Sequence, residues 1–294
     1  MNWMKFKWLY FGLSALVLIP GIISLTRFGL QPAIDFSGGT VLELQFKQSN
    51  QDLGSEQIKK AVEEKGLTVS SVQSSGEKKY LLRLKPVARE ELVIINSALA
   101  EKFGDMPEEV RFETVGPILG RELLTKTIVG IVLAAGFILF YLARTFKNAK
   151  FGICAILAMF HDSLVLLGIF SLLGHFMKVE VDTLYVTAML TILSFSVHDT
   201  VVVYDRIRES SRLLTNVPFD QVVNKAITET LSRSLNNSLT IIFMLVALWL
   251  LGGETTRWFV FALLIGTISG TYSSTFTAAP LLVVWTKLEE KQKH

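Results

Sequence analysis

The chain has 294 residues, of which 50% are hydrophobic and only 19% are charged, and its mean hydropathy is +0.45. This balance is typical of a polytopic membrane protein and excludes an ordinary soluble domain. The net charge of +3 does not indicate a nucleic-acid-binding protein. The single cysteine, Cys154, excludes a disulfide framework and a cysteine-based metal site within one chain.

The first apolar run, Trp8 to Leu25, follows two lysines at positions 5 and 7. Its core is longer than the roughly 7–15 apolar residues of a signal peptide, and no small-x-small cleavage site follows it. We therefore interpret residues 1–30 as an N-terminal segment with an uncleaved first membrane helix.

Residues 31–118 are the only long polar stretch and have the pattern of a small α+β domain. Alternating apolar residues predict strands, and two segments with helical spacing end at Gly66 and Gly104. The predicted elements are a strand at Val41–Phe46, a helix at Ser55–Lys65, strands at Leu67–Val72 and Lys79–Lys85 joined by a turn at Ser74–Gly76, a helix at Arg89–Phe103 and a strand at Val110–Val115. This βαββαβ order is the ferredoxin-like pattern, which alone specifies no function.

Residues 119–294 return to the membrane and stay there. The uninterrupted apolar run Leu239–Leu251 is too short to cross a hydrocarbon core of about 30 Å at about 1.5 Å per residue. The fifth span must therefore extend back towards Leu231. The predicted spans after the outer domain are Leu123–Leu142, Phe151–Phe176, Leu184–Val203, Leu231–Leu251 and Trp258–Trp285. The chain is thus predicted to be an α-helical polytopic membrane protein with six transmembrane helices and an extracytoplasmic domain between helices 1 and 2.

Basic residues in short loops predict the orientation of the helices. One side carries most of them: Lys5, Lys7, Arg144, Lys147, Lys150, Arg206, Arg208, Arg212, Lys225, Lys287, Lys291 and Lys293. The other side carries fewer, at Lys178, Arg257, Arg27, Arg121 and Lys126. We therefore expect both termini in the cytoplasm and the ferredoxin-like domain outside.

Asp199 is a carboxylate within the hydrophobic run Leu190–Ser210. Charge in hydrocarbon is costly and marks a candidate functional site. Asp199 lies seven residues before Arg206, hence about 10 Å inside the cytoplasmic boundary. Asp162, in the third span, lies twelve residues after Lys150 and hence roughly 18 Å from the same boundary.

The start of the fifth span supplies a candidate partner for Asp199. Arg233, Asn236, Asn237 and Thr240 fall at i, i+3, i+4 and i+7 and form one polar stripe. We expect this stripe to face the bundle interior and to bring Arg233 close to Asp199. A proton path is one interpretation, because burial raises the pKa of a carboxylate and a nearby guanidinium lowers it; a static ion pair between two helices is the other.

The remaining polar residues in the spans have weaker signals. A carboxyl kept neutral by a hydrogen bond would be tolerated at Asp162, so its role as relay or structural group stays open. His161 and His198 are more often packing or hydrogen-bonding residues than direct proton carriers, and Asp205 with Arg206 is typical of an interfacial anchor. No HExxH, GxSxG or GK[ST] P-loop is present, so we expect no enzyme activity and no bound cofactor or metal.

Motifs spread over nearly the whole chain resemble the SecF family, the smaller subunits of the bacterial SecDF protein-export complex in the RND superfamily. The matching residues are Asp35-Phe36-Ser37-Gly38-Gly39, Val115-Gly116-Pro117, His161-Asp162, Asp199-Thr200, Tyr204-Asp205-Arg206, Thr230-Leu231-Ser232-Arg233-Ser234 and Tyr272-Ser273-Ser274. Together these motifs are specific, whereas any one of them alone would be weak.

The resemblance implies half of an RND-type transporter in the bacterial cytoplasmic membrane, with a SecD chain supplying the other half. It also implies that the pair works with the SecYEG channel and an unfolded translocating polypeptide, late in export, using the proton-motive force. Asp199 and Arg233 match residues linked to proton passage, with Asp162, Thr200, His161, His198, Asn236 and Asn237 as candidate neighbours. His198 stands where the family usually has asparagine, which leaves sodium as an alternative coupling ion.

Three hypotheses follow. The leading one is a proton-driven accessory subunit of protein translocation. The alternative is a half-size RND-type exporter of small molecules or lipids, for which an outer domain of fewer than ninety residues offers little room. The third is an assembly factor with a purely structural role, in which replacing Asp199 would be silent.

Overall fold

The computed structural model describes residues 2–46, 54–76, 78–146 and 148–292. Two basic residues used for the orientation, Lys147 and Lys293, lie outside these ranges. The chain divides into two compact units, one formed by the residues up to Gln31 together with those from Val129 onward, and the other by Pro32–Ile128. Helix α1 (Lys7–Phe28) directly follows a short 3-10 turn at Trp3–Phe6 and belongs to the first unit.

The second unit confirms the predicted ferredoxin-like pattern. Its elements are α2 (Ile34–Ser37), β1 (Gly39–Gln45), α3 (Ser55–Glu63), β2 (Val69–Gly76), β3 (Lys79–Leu84), α4 (Leu92–Phe103) and β4 (Glu108–Val115). The four strands form an antiparallel sheet in the order β2-β3-β1-β4. Alternate residues of β1 and β3 pack on the two helices, with Leu42, Leu82, Ile58 and Leu99 completely buried.

The predicted turn at Ser74–Gly76 is wrong. These residues continue β2, where Ser74 pairs with Tyr80 and Gly76 with Lys79. A serine-rich stretch before glycine is typical of a turn, but pairing with the apolar strand β3 keeps it extended. The chain reverses after Gly76, and Lys78 has a positive φ of 59°.

Six helices in the described part of the chain are long and apolar enough to cross a membrane, as predicted. After α1 they are α5 (Pro117–Thr145), α6 (Ala149–Met177), α7 (Thr183–Leu213), α8 (Phe219–Leu251) and a sixth span built from α9 (Glu254–Ser273), a π-helical segment at Ser274–Ala278 and α10 (Ala279–Gln292). Helix α8 begins twelve residues before the predicted start at Leu231, so Arg233 lies well inside a continuous helix.

Helix α7 is central to the membrane unit and packs against α6, α8 and α9, while α1 packs against α6. Small residues allow these close approaches. A Cβ on Gly168 would lie 2.6 Å from the Cα of Gly21, and a Cβ on Gly266 would lie 2.2 Å from Ile192 Cδ1. The most apolar stretch of α5, in contrast, buries none of its residues. This stretch of α5 is therefore exposed in the described structure.

Candidate functional site

The Asp199 carboxylate is 5% exposed on α7. Its Oδ2 accepts a hydrogen bond of 3.0 Å from the Ser234 hydroxyl on α8. The next residue, Thr200, is 1% exposed, and its hydroxyl has no hydrogen-bond partner among the described residues. A buried carboxylate with one hydroxyl donor and an unpaired hydroxyl beside it is a site that an added proton, water or charged group would complete.

The structure does not bring Arg233 to Asp199. Arg233, Asn236, Asn237 and Thr240 are all exposed, and Arg233 has no hydrogen bond or ion pair within the described residues. The expectation that this stripe faces the bundle interior is wrong for the single chain.

The inward face of α8 is made instead by small hydroxyl residues. Ser234 contacts Asp199, and the Ser238 hydroxyl accepts a hydrogen bond of 2.7 Å from Thr271 on α9. Because successive helical residues are about 100° apart, the arginine and amides lie on a neighbouring face of α8. Four polar residues, Arg233, Asn236, Asn237 and Thr240, are thus presented on the outer surface of this chain; we call them the outer polar stripe.

Asp162 on α6 is completely buried and has four hydrogen-bonding partners, which we call its cage. Its Oδ1 accepts from Ser269 at 2.6 Å and lies 3.0 Å from His161 Nδ1. Its Oδ2 accepts from Ser196 and Ser273, each at 2.5 Å. The partners come from α6, α7 and α9, so this carboxyl group joins three spans.

His161 connects this cage to α1. Its Nε2 lies 3.1 Å from the Ser14 hydroxyl, which is itself 3.5 Å from the Tyr272 hydroxyl and 3.4 Å from that of Thr277. Tyr272 then donates to the carbonyl oxygen of Tyr10 at 2.7 Å. The prediction that His161 is a hydrogen-bonding residue describes these contacts, but it did not identify the partner helix.

His198 is exposed on α7 and lines a cavity of about 300 Å³ between α5 and α7. Its lining is mostly apolar and includes Phe137, Tyr141 and Ser194. His198 directly precedes Asp199 in the sequence of α7.

The charged residues at the end of α7 form surface ion pairs. Arg206 contacts Glu209 and Glu229, each at 2.6 Å, and so joins α7 to α8. Asp205 pairs with Arg208 at 3.0 Å. Neither Asp205 nor Arg206 is paired with Asp199 or Asp162 in the described structure, so an anchoring role stays the prediction for both.

The glycine motif after the first span has a steric role within the second unit. Gly38 has a φ of 73°, and a Cβ there would lie 2.9 Å from the Cα of Pro117 at the start of α5. Gly39 has a φ of 134°, with the carbonyl oxygen of Leu84 at 3.0 Å from its ideal Cβ position. Asp35 is in the single turn α2 just before them, and Gly116 has open space around its Cβ position. Gly38 therefore allows the chain entering β1 to pass close to the start of α5, and Gly39 allows β1 to lie close to the end of β3.

Sequence reasoning missed the hydroxyl donors around Asp162. Ser269 and Ser273 lie at i and i+4 of the last span, a spacing that puts both on one helix face. That spacing was the available signal, but small residues on one face also indicate simple close packing.

Comparison with known families identifies relatives over almost the whole chain. The model of the protein export membrane protein SecD/SecF C-terminal region matches residues 95–288, and that of the SecD/SecF GG motif matches residues 23–49. The chain is 43% identical to the protein translocase subunit SecF of Thermobaculum terrenum, over 96% of this chain and 92% of the relative. It is 36% identical to SecF of Anaerolinea thermophila, over 95% and 92%.

In longer relatives, only part of the chain matches this protein. The protein translocase subunit SecDF of Thermus thermophilus is 34% identical over 90% of this chain and 36% of its own length. The crystal structure of a Thermus SecDF, described as a translocon-associated membrane protein, superposes with a TM-score of 0.84 at 31% identity, covering 98% of this chain and 39% of that one. A second SecDF structure, in a super-membrane-facing form, gives a TM-score of 0.72, also at 31% identity, and covers 100% of this chain and 40% of that one.

Proposed function

Because the chain belongs to the SecD/SecF family of protein-export membrane proteins, we propose that it is a SecF-type accessory subunit of the Sec translocase. In this role it promotes late steps of protein export across the cytoplasmic membrane, together with a SecD-type chain. Six apolar helices and the similarity to SecF proteins support a multi-pass membrane protein. The basic residues near one end of the helices support cytoplasmic termini.

The division of polar groups between α7 and α8 is the observation that carries this proposal. Asp199 is buried inside the chain, whereas Arg233 and the rest of the outer polar stripe are exposed on a helix long enough to span a membrane. A guanidinium facing lipid is costly and is tolerated when protein or water covers it. The chain therefore holds part of a charged site that a second subunit completes.

The fused relatives support the identity of that second subunit. This chain matches only about two fifths of the SecDF chain of known structure, and transporters of this kind place their ion sites between two structural repeats. In the proposed assembly a SecD-type chain covers the outer polar stripe and supplies an acidic partner for Arg233. The SecYEG channel and the unfolded polypeptide are the further partners of that assembly.

Proton coupling is part of the proposal. Asp199, with a single hydroxyl donor, loses and regains a proton as Arg233 and the partner's acid approach or withdraw, because a nearby cation favours the charged carboxylate. Asn236 and Asn237 flank Arg233 on the same surface, Thr200 and His198 flank Asp199, and sodium is the alternative ion for the site. Movement of the two halves then acts on the outer domain and the emerging polypeptide.

The experiment is an export assay in inverted vesicles or cells that carry the chain with its SecD-type partner. Asp199→Asn is expected to leave the complex assembled and to abolish the part of export that depends on the proton gradient. Asp205→Asn, a charge change in an exposed surface pair of the same helix, is the matched control and should retain export. Normal gradient-dependent export by Asp199→Asn in an intact complex would contradict the proposal and favour a structural assembly role.

A small-molecule exporter is distinguished by its cargo. Such an exporter would make cells lacking the chain sensitive to drugs or detergents without slowing secretion, and it would not co-purify with translocon subunits. Slowed secretion with unchanged drug sensitivity is the result that the translocase proposal requires.

A further inference from the structure

The charge of Asp162 has no basic side chain to balance it except a histidine. Within the described residues its only ion-pair partner is His161, at 3.0 Å, and its other contacts are with three serine hydroxyls. A buried carboxylate in the membrane must be neutralised or fully hydrogen-bonded. The cage supplies the hydrogen bonds, and the His161 imidazole is the adjacent group that can take up or give away a proton.

His161 has a different partner on each ring nitrogen. Nδ1 faces Asp162 on α6 and Nε2 faces Ser14 on α1. Imidazole can accept a proton at one nitrogen and release another from the opposite nitrogen. The ring therefore bridges a completely buried carboxylate and a hydroxyl on another helix.

The contacts beyond Ser14 lead towards one end of the helices. Ser14 is within 3.5 Å of the Tyr272 hydroxyl, and Tyr272 is half-buried, as is Tyr10, whose carbonyl it contacts. Asp162 lies roughly 18 Å along its helix from Lys150, whereas Tyr10 is three residues, or about 5 Å, beyond Lys7. The sequence of contacts thus approaches the end of the bundle that carries the basic flanking residues.

We propose that this chain contains a proton-transfer branch of its own, which runs from Asp162 through His161 and Ser14 to Tyr272, on the side of Asp162 that is nearer the basic end of the helices. This branch differs from the Asp199–Arg233 site in needing no group from a second subunit. It deepens the proposed function, on which its use in export rests, but its proton transfers are a property of the isolated chain.

The transfer conserves protons and moves no electrons. When Asp162 is protonated, His161 is in the Nε2–H tautomer and its Nδ1 accepts a hydrogen bond from the carboxyl group. The carboxyl proton moves to Nδ1, the Nε2 proton moves to the Ser14 oxygen, and the Ser14 hydroxyl proton moves to the Tyr272 oxygen. The Tyr272 hydroxyl turns away from the Tyr10 carbonyl oxygen that it contacts in this structure and gives its own proton to solvent water at this half-buried side chain. Asp162 is then a carboxylate that accepts from His161 Nδ1–H, and Ser14 donates to the bare Nε2. A proton that reaches Asp162, together with reversal of the tautomer, resets the branch.

Few other groups compete for this proton in the described structure. The titratable groups that face His161 are Asp162 on its own helix and Tyr272 on α9, whose ring centroid lies 6.3 Å from that of the imidazole. On α1 the hydroxyl of Ser14 contacts His161, and on α7 the hydroxyl of Ser196 contacts Asp162. No lysine or arginine is hydrogen-bonded to any of these side chains within the described ranges.

The test uses the purified full chain in lipid nanodiscs without its partner. Infrared difference spectra after a pH jump between about pH 4 and about pH 9 should show a protonated carboxyl band that disappears in Asp162→Asn. Ser14→Ala should keep the band but slow its loss by about tenfold, the effect expected from removing one hydrogen-bonded step. Tyr272→Phe, which removes the phenolic proton, should slow it as well.

Ser24→Ala is the matched control. Ser24 is buried on the same helix and contacts Ser171 of α6 at 2.8 Å, but it is outside the branch and should leave the rate unchanged. Equal rates in Ser14→Ala, Tyr272→Phe and Ser24→Ala, or a spectrum without an Asp162 band, would overturn the proposal. The two proposals can also fail separately. If the Asp162 band and the slowed rates are observed as expected but Asp199→Asn exports normally, the branch is supported and the proposed function is refuted.

Discussion

Arg233 and Ser234 are adjacent in sequence but lie on different faces of α8: the Ser234 hydroxyl donates to the buried Asp199 carboxylate at 3.0 Å, whereas Arg233 is exposed. One residue of helical rotation therefore separates the hydroxyl that contacts Asp199 within this chain from the guanidinium that, in the proposed assembly, meets a second subunit. This separation allows the two groups to be tested independently.

Arg233→Gln should have almost no effect on the stability of the isolated chain, because Arg233 has no partner in the described structure to lose. Its free energy of unfolding should change by less than about 0.5 kcal/mol, as for other exposed substitutions. In the proposed assembly the same variant should abolish gradient-dependent export, because the proposal makes the guanidinium the cation of a buried site. Thermal unfolding of the isolated chain and the export assay measure the two effects.

Arg257→Gln provides the control for Arg233→Gln. Arg257 lies on the sixth span, with its guanidinium carbon 5.5 Å from the ring centroid of Trp249, and it is outside the outer polar stripe. Export should persist in this variant. A strongly destabilised isolated Arg233→Gln chain would show instead that Arg233 has an internal structural role.

Gly168→Ala should destabilise the membrane unit. The new Cβ would lie 2.6 Å from the Cα of Gly21, a backbone atom that cannot move without shifting α1. Overpacking of this kind costs about 1–3 kcal/mol. Gly130→Ala on α5, where nothing lies within 4 Å of the ideal Cβ position, should be neutral or slightly stabilising. Denaturation of the two variants in the same detergent compares them directly, and equal stability would contradict the tight α1–α6 contact.

The ferredoxin-like domain has a pH-dependent contact between Lys65 and Glu101. The Lys65 ammonium donates to Glu101 at 2.9 Å, and this hydrogen bond with its charge holds the pKa of Glu101 below the usual range. The folded-state pKa is thus below the unfolded value, so the contact stabilises the fold above the unfolded pKa and is lost as the pH falls through the folded one. Because both side chains are exposed, the effect on stability should be small.

Carbon-13 NMR of the labelled Glu101 carboxyl group measures this shift. Lys65→Ala should move the titration midpoint of Glu101 up towards the model-peptide value of about 4.3. Lys102→Ala, which removes the neighbouring pair with Glu64, should move it far less. An unchanged midpoint in Lys65→Ala would contradict the contact.

The architecture could be predicted from the sequence, because hydrophobic runs and alternating strands report burial directly. The six spans and the βαββαβ order are both confirmed. The rotation of α8 could not be predicted in the same way. Helix α8 has two polar stripes, one formed by Arg233, Asn236, Asn237 and Thr240 and the other by Ser234 and Ser238. Helical periodicity identifies each stripe but does not show which one faces the other helices. Stripe size favours the interior for the larger set, whereas in the described structure all four of its residues are exposed.

The hydrogen bonds around Asp162 could not be predicted from the sequence for a different reason. Ser196, Ser269 and Ser273 are small residues in apolar helices, and the same side chain serves for close packing and for donating a hydrogen bond. Only the helix crossings show that their hydroxyls meet at one carboxylate. The link from His161 to Ser14 joins residues 147 positions apart, which no local pattern can reveal.

Cysteine labelling of α8 would test whether a partner covers the outer polar stripe. In a background with the buried Cys154 replaced by alanine, Asn237→Cys should react with a maleimide in the isolated chain because position 237 is exposed. Co-expression of the SecD-type partner should slow this reaction by about tenfold or more, since an interface core excludes the reagent and water. Ser238→Cys, only one residue away but 1% exposed, should react slowly in both states. Equal labelling of Asn237→Cys with and without the partner would mean that the stripe faces lipid or water, and the shared charged site would then be refuted.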